Sequence, residues 1–170
     1  MIPQPEPWLR GAAGDLDPLL APILYAFQQA REDLAHWTQE LDDDQIWRRP
    51  AGLAPVGFHL RHIAGSVDRL MTYVEGRQLS DAQFAALKTE LEAHGTREQL
   101  LAGIERSFRN AERVVRKLDR ARLRDAREVG RKKLPTTVIG LLTHTAEHTQ
   151  RHVGQAIVTA RVLTADASLS

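Results

Sequence analysis

A chain of 170 residues with 42% hydrophobic content is long enough for one domain with a real core and short for two. Aromatics make up only 5% while Leu, Ala, Arg, Glu and Gln are frequent, the composition of an all-α protein with aliphatic faces, and strands are not expected. A formal net charge of +1 steers the chain toward neither nucleic acid nor an acidic surface, and the absence of cysteine excludes disulfides, thiolate metal ligands, iron–sulfur clusters and cysteine nucleophiles.

The opening "MIPQPEPWLRGAAG" is proline-rich and has no apolar stretch of signal-peptide length, so a cytoplasmic location is the expectation. No apolar run approaches the ~20 residues of a bilayer span, so no membrane partner is expected. Residues 1–15 read as a flexible arm, 16–164 as a single domain and 165–170 as a frayed tail. Asp17 before Pro18 reads as a cap followed by proline at the first helical position. Leu20, Ile23, Leu24, Phe27, Ala30, Leu34, Trp37 and Leu41 then recur at steps of three and four, a first amphipathic helix ending at the solvated run Asp42–Asp44. The connection that follows carries Ile46 and Trp47, expected to tuck onto the core, and the breakers Pro50, Gly52 and Pro55.

A second helix spans Val56 to Glu75, with Leu60, Ile63, Val67, Leu70, Met71 and Val74 on its apolar face and Gly76 as its stop. Ser80 with Gln83 forms a capping-box signature for a short helix over about 81–93 within a long crossover, and Thr96 with Gln99 repeats it. The third long helix carries Leu100, Leu101, Ile104, Phe108, Ala111, Val115 and Leu118, then fades into a basic stretch ended by Leu134 and Pro135. Thr136 caps a fourth, with Val138, Leu141, Leu142, Ala146, Val153, Ala156, Ile157, Ala160 and Leu163 on its apolar face. Four long amphipathic helices with one short helix in a crossover predict a four-helix bundle.

The last helix places His144, His148 and His152 at strict intervals of four, and such positions lie about 40° apart on a helix and one turn further along. On the helical wheel His152 lies roughly 70° from the mean apolar direction, His148 roughly 110° and His144 roughly 150°, so the stripe winds outward. His148 and His152 flank the interior and can hold one ion from a single helix, as two histidines at this spacing do in zinc proteases. A third ligand must come from elsewhere, and "HLRHIAG" on the second helix offers His59 and His62. Periodicity slightly prefers His59. Spacing alone does not choose.

"HLRHIAGSVDRL", which overlaps the end of "IWRRPAGLAPVGFHLRHIA", followed some eighty residues later by "HTAEHTQRHVGQAI", resembles the DinB family of damage-inducible-like metal-binding proteins. That family includes bacterial thiol-dependent S-transferases and related maleylpyruvate isomerases, and the resemblance covers nearly the whole chain. It implies a four-helix bundle and one divalent ion (zinc, nickel, iron or manganese) on three histidines, which map to His62, His148 and His152. His59 and His144 become neighbours of the site. The resemblance further implies a low-molecular-weight thiol as co-substrate and a homodimer. Metal-dependent hydrolysis and a non-catalytic metal or small-ligand binding module are the alternatives.

Three neutral imidazoles leave an ion its charge and open positions, the arrangement of catalytic zinc sites. Ligating histidines normally hand their other N–H to an acceptor, and Gln155, Asp68 and Glu147 are the candidates near in sequence. Ser66 and Tyr73 share the His62 flank and are candidates for the pocket mouth, while Gly154 is a candidate for close helix packing. "HTAEH" also matches the inverted zinc-protease motif with Glu147 as base, but Glu147 points away from the apolar face and only Asp166 follows as an acidic ligand. Between Arg106 and Lys133 twelve Lys/Arg face four Asp/Glu, which raises nucleic-acid binding. The interleaved Glu112, Asp119, Asp125 and Glu128 and the single aromatic Phe108 favour a solvated charged face instead.

Overall fold

Proline spacing sets where the first helix begins. In the computed structural model, which describes residues 4–11 and 14–167, Asp17 closes a turn ahead of the helix, its carboxylate accepting from the Leu19 N–H at 2.9 Å. Helix α1 then runs Ala21–Trp37 with Pro22 in its first turn, one turn later than the predicted start at Asp17–Pro18. It stops short of Leu41 because Thr38 folds back, its hydroxyl donating to the Leu34 carbonyl at 2.6 Å.

Helix α2, Val56–Val74, begins after extended Pro55, and Gly76 takes the left-handed conformation (φ +78°) that ends it. Helices α3, Asp81–Lys88, and α4, Arg97–Arg116, both open with the predicted capping boxes, Ser80 with Gln83 and Thr96 with Gln99. Helix α3 ends before the predicted Ala93, and residues 89–96 form a loop. Helix α5 spans Val138–Ala167.

The apolar stripes meet in one core. Helix α2 packs along α5 and α4, and α1 packs along α5 and α4, so each long helix has two neighbours. Phe27 on α1 stacks on Phe108 of α4 with ring centroids 4.6 Å apart, both fully buried. Leu60, Ile63 and Val67 of α2 face a core shared with Leu142, Val153 and Ala156 of α5. Ile46 is buried as predicted, and Trp47 lies so close over Gly57 that a Cβ there would meet its ring at 2.8 Å.

The basic stretch corrects the expectation of no strand. Ala126–Val129 (β1) and Leu134–Thr137 (β2) pair antiparallel, Ala126 opposite Thr137 and Val129 opposite Leu134. Charged Arg127 and Glu128, together with Pro135, hid this hairpin, whose stability comes from contacts with α2 more than from strand propensity. Arg127 Nε donates to the Val74 carbonyl at 2.9 Å, and the Gly130 N–H donates to the Tyr73 hydroxyl at 3.2 Å. Acidic residues pair locally with basic ones here, Arg122 with Asp125 and Lys133 with Glu128.

Residues 4–11 of the predicted flexible arm lie against α1: Pro7 is buried, Arg10 forks onto Glu32 at 2.6 and 2.7 Å, and the Tyr25 hydroxyl donates to the Gly11 carbonyl. The predicted frayed tail is helical as far as Ala167. The rest of these two segments, residues 1–3, 12–13 and 168–170, and the side chain of Asp166 lie outside the described residues. Among the described residues no helix is long and apolar enough to cross a membrane.

Candidate metal centre

The packing of α2 against α5 decides which imidazoles meet. His62 comes from the first half of α2 and His148 and His152 from the middle of α5, and one nitrogen from each lies within 4.8 Å of the other two. His62 Nε2 stands 2.9 Å from His148 Nε2. Ring centroids of His62 and His148 each lie within 5 Å of that of His152, at 4.4 and 4.6 Å. In a tetrahedral zinc site with bonds of about 2.0–2.1 Å, ligand nitrogens sit roughly 3.3 Å apart. One separation is 2.9 Å and all three nitrogens lie within 4.8 Å of one another, a convergence on the scale of that spacing, so the donor set fits a divalent ion.

His59, which periodicity preferred, lies deeper: it is only 4% exposed, and its Nδ1 sits 3.0 Å from His152 Nδ1. The mean apolar direction of a helix points into the core, whereas a site open to solvent needs a residue on the flank. His62 is on that flank. His144 is exposed and bonds to Glu147 at 2.7 Å, though its ring centroid is 5.2 Å from that of His148.

Burial, reinforced by the neighbouring imidazoles, pushes His59, His148 and His152 down to about 4, so these rings are neutral near neutral pH. Neutral rings offer lone pairs to a cation. Their titration also predicts how the metal-free protein responds to acid. In the unfolded chain these histidines protonate near 6.5, whereas in the folded chain they resist until about 4, so unfolding takes up protons between those values. Stability is full above pH 6.5 and declines as pH falls toward 4. Urea midpoints of metal-free protein should therefore drop across that interval, and a midpoint flat from pH 7 to 4 would contradict the neutral cluster.

The sequence reading missed two residues at the site. Glu90, in the loop between α3 and α4, is only 5% exposed and places Oε2 2.6 Å from His62 Nδ1. Its Oε1 accepts from Arg69 Nη1 at 2.7 Å. Burial opposes ionisation of Glu90, but the hydrogen bonds from His62 and Arg69 outweigh it and hold the carboxyl below its ordinary range. Phe58, one turn before His62, stacks on that ring at 5.4 Å and meets His59 edge-on. A signal for Glu90 was present in α2 itself: Gly65 sits inside an amphipathic helix, which marks a close approach by something. A Cβ at Gly65 would meet Glu90 Oε1 at 2.6 Å and Arg69 Nη1 at 2.8 Å.

The remaining candidates are placed elsewhere. Asp68 is exposed and accepts from Gln83 Nε2 at 2.7 Å. Ser66 is buried and returns its hydroxyl to the Ile63 carbonyl at 3.1 Å. Tyr73 is eleven residues beyond His62 on α2, about 16 Å along the axis at 1.5 Å per residue, where it holds the hairpin. Gln155 is exposed, and a Cβ on Gly154 would meet nothing within 4 Å, so that glycine serves no close packing. Glu147 is exposed and binds His144 and Arg151 at the surface. His148 Nδ1 is buried without a hydrogen-bond partner among the described residues.

A predominantly helical chain with a three-histidine group able to hold a metal ion on two packed helices is a defined class of protein. The chain belongs to the DinB superfamily, whose family model matches residues 26–156. A solved structure, a conserved protein from Enterococcus faecalis, shares the fold with a TM-score of 0.67 at 17% identity, covering 84% of this chain and 95% of that one. Among curated proteins none matches the chain.

Proposed function

We infer that the protein holds one divalent metal ion on His62, His148 and His152 and acts as a metal-dependent transferase that activates a low-molecular-weight thiol. The observation that carries this reading is the convergence of three imidazole nitrogens within 4.8 Å, two of the rings kept neutral by burial. In this reading the four long helices are a four-helix bundle, with α3 carried on its crossover. Zinc, nickel, iron and manganese all suit imidazole nitrogen. The ion would supply Lewis acidity, lowering the pKa of a thiol or water that reaches it.

The chain's own residues hold and orient that centre. Glu90 accepts the His62 Nδ1 proton, which leaves Nε2 as the lone-pair nitrogen facing His148. Phe58 covers one face of the His62 ring. The placement of carboxylates favours thiol transfer over hydrolysis. Glu90 has both oxygens engaged, and Glu147 is tied to His144 and Arg151 at the surface, so neither is free to act as a general base. A thiolate needs no separate base once formed.

The test is a screen of metal-reconstituted protein with bacillithiol, mycothiol and glutathione against electrophilic acceptors, with the His62→Ala, His148→Ala, His152→Ala variant as blank. Metal-dependent thiol consumption absent from the blank is the expected result. Water consumption in place of thiol would identify a hydrolase, and no turnover with any thiol would leave a binding module.

A further inference from the structure

We propose that Glu90 is a positioning residue for His62, and that metal loading and docking of the 89–95 loop onto α2 are one coupled event. The inference rests on the assignment of His62 as a ligand. Its grounds are three features where that loop meets α2, all between Arg61 and Arg69.

The first is the Glu90 carboxylate, which bridges His62 Nδ1 at 2.6 Å and Arg69 Nη1 at 2.7 Å. The second is Arg61, whose guanidinium donates to the carbonyls of Thr89 (3.2 Å) and Glu92 (2.5 Å), and to that of His94. The Arg61 guanidinium itself lies over the Trp47 ring, its Cζ 4.6 Å from the centroid. The third is Gly65, lying between His62 and Arg69 on the same helix face, where the missing side chain leaves the room that the carboxylate and guanidinium fill. Arg61 gathers the backbone of a loop that has no regular structure of its own, and so delivers one buried carboxylate to the back of one imidazole.

The direction of coupling follows from the chemistry of the ring. An imidazole that coordinates through Nε2 must carry its proton on Nδ1, and coordination makes that N–H a stronger donor. Glu90 therefore bonds more strongly to a loaded His62 than to a free one. By reciprocity the docked loop raises metal affinity and the metal holds the loop down.

Gly65→Ala separates positioning from ordinary packing. Alanine is the better helix former, so α2 should be no less stable, while its Cβ displaces only the tips of the Glu90 and Arg69 side chains. Using the full chain and zinc as probe, we expect Gly65→Ala and Glu90→Ala each to weaken binding about 10- to 100-fold, the range for removing such an outer partner. The unfolding midpoint of the metal-free Gly65→Ala protein reads the stability cost of displacing the buried Glu90–Arg69 pair separately from the effect on zinc affinity. In the native chain zinc should slow amide hydrogen exchange across residues 89–95, and in Glu90→Ala it should not. Native-like zinc affinity in both variants, or exchange in the loop indifferent to zinc in the native chain, would overturn the coupling while leaving the metal site standing. A native chain that takes up no metal would overturn both.

Discussion

Replacing His148 and His152 together by alanine should abolish divalent-metal binding, with affinity falling at least about a thousandfold. Two of the three nitrogens that converge within 4.8 Å are removed, and each tenfold in affinity corresponds to about 1.4 kcal/mol, so the loss requires only ~2 kcal/mol per ligand. That is modest beside the 10–16 kcal/mol apparent for structural zinc sites with a full ligand set. Competition against a chromophoric chelator, with elemental analysis of the purified protein, reads the effect. The helix should survive, because alanine is a strong helix former and both histidines sit mid-helix on a half-buried flank. His144→Ala is the internal control: the ring is exposed and bonded to Glu147, so affinity should stay within a few-fold of native. Full metal occupancy in the double variant would defeat the ligand assignment.

The second large effect belongs to the fold. Phe27→Ala should destabilise the protein by about 3–5 kcal/mol, the range for emptying a buried aromatic site. Phe27 is fully buried and stacked 4.6 Å from Phe108, which also carries Arg31 over its ring at 5.1 Å. Ala30, Leu34, Ile104 and Ala111 of the same buried core lie on helices held in place by their packing against α5 and α2, so the cavity should collapse only in part. Domains of this size have total stabilities of roughly 5–15 kcal/mol, so the variant should be visibly less stable to urea at neutral pH. Zinc affinity of its folded fraction should be native, because Phe27 and Phe108 are on α1 and α4 while the three histidines are on α2 and α5. A loss below 1 kcal/mol would mean that this pair is not at the centre of the core.

What was legible in the sequence is what repeats. Apolar residues at helical spacing gave α2 almost to the residue, and two Ser/Thr–x–x–Gln capping boxes gave the starts of α3 and α4, while the end of α4 at Arg116 was left undefined in the basic stretch. The spacing of four in α5 placed His148 and His152 on one flank, and the resemblance to a known family chose His62 where the helical wheel leaned to His59. The two differ for a physical reason: the wheel measures depth, and His59 is the deeper residue, behind His152.

Features fixed by contacts distant in sequence were not legible. The hairpin forms from a charged segment because Arg127 and Gly130 bond to the end of α2, more than fifty residues earlier. Glu90 lies in a loop without periodicity, so its role depends on Arg61, Gly65 and Arg69 of α2 and leaves no pattern in its own neighbourhood. The search for partners near in sequence named Asp68, Glu147 and Gln155, all of which are exposed. Helix α1 was misplaced by one turn because two prolines, Pro18 and Pro22, both suit a first helical turn, and only the second is in one.

X-ray absorption at the metal edge of zinc-loaded native protein tests the shared site most directly, since it counts the imidazoles on the ion. The expected spectrum has three imidazole nitrogens at about 2.0–2.1 Å, with a fourth position taken by a solvent or buffer atom. One imidazole or none, with the remaining shell made of oxygen, would show that His62, His148 and His152 do not hold a common ion.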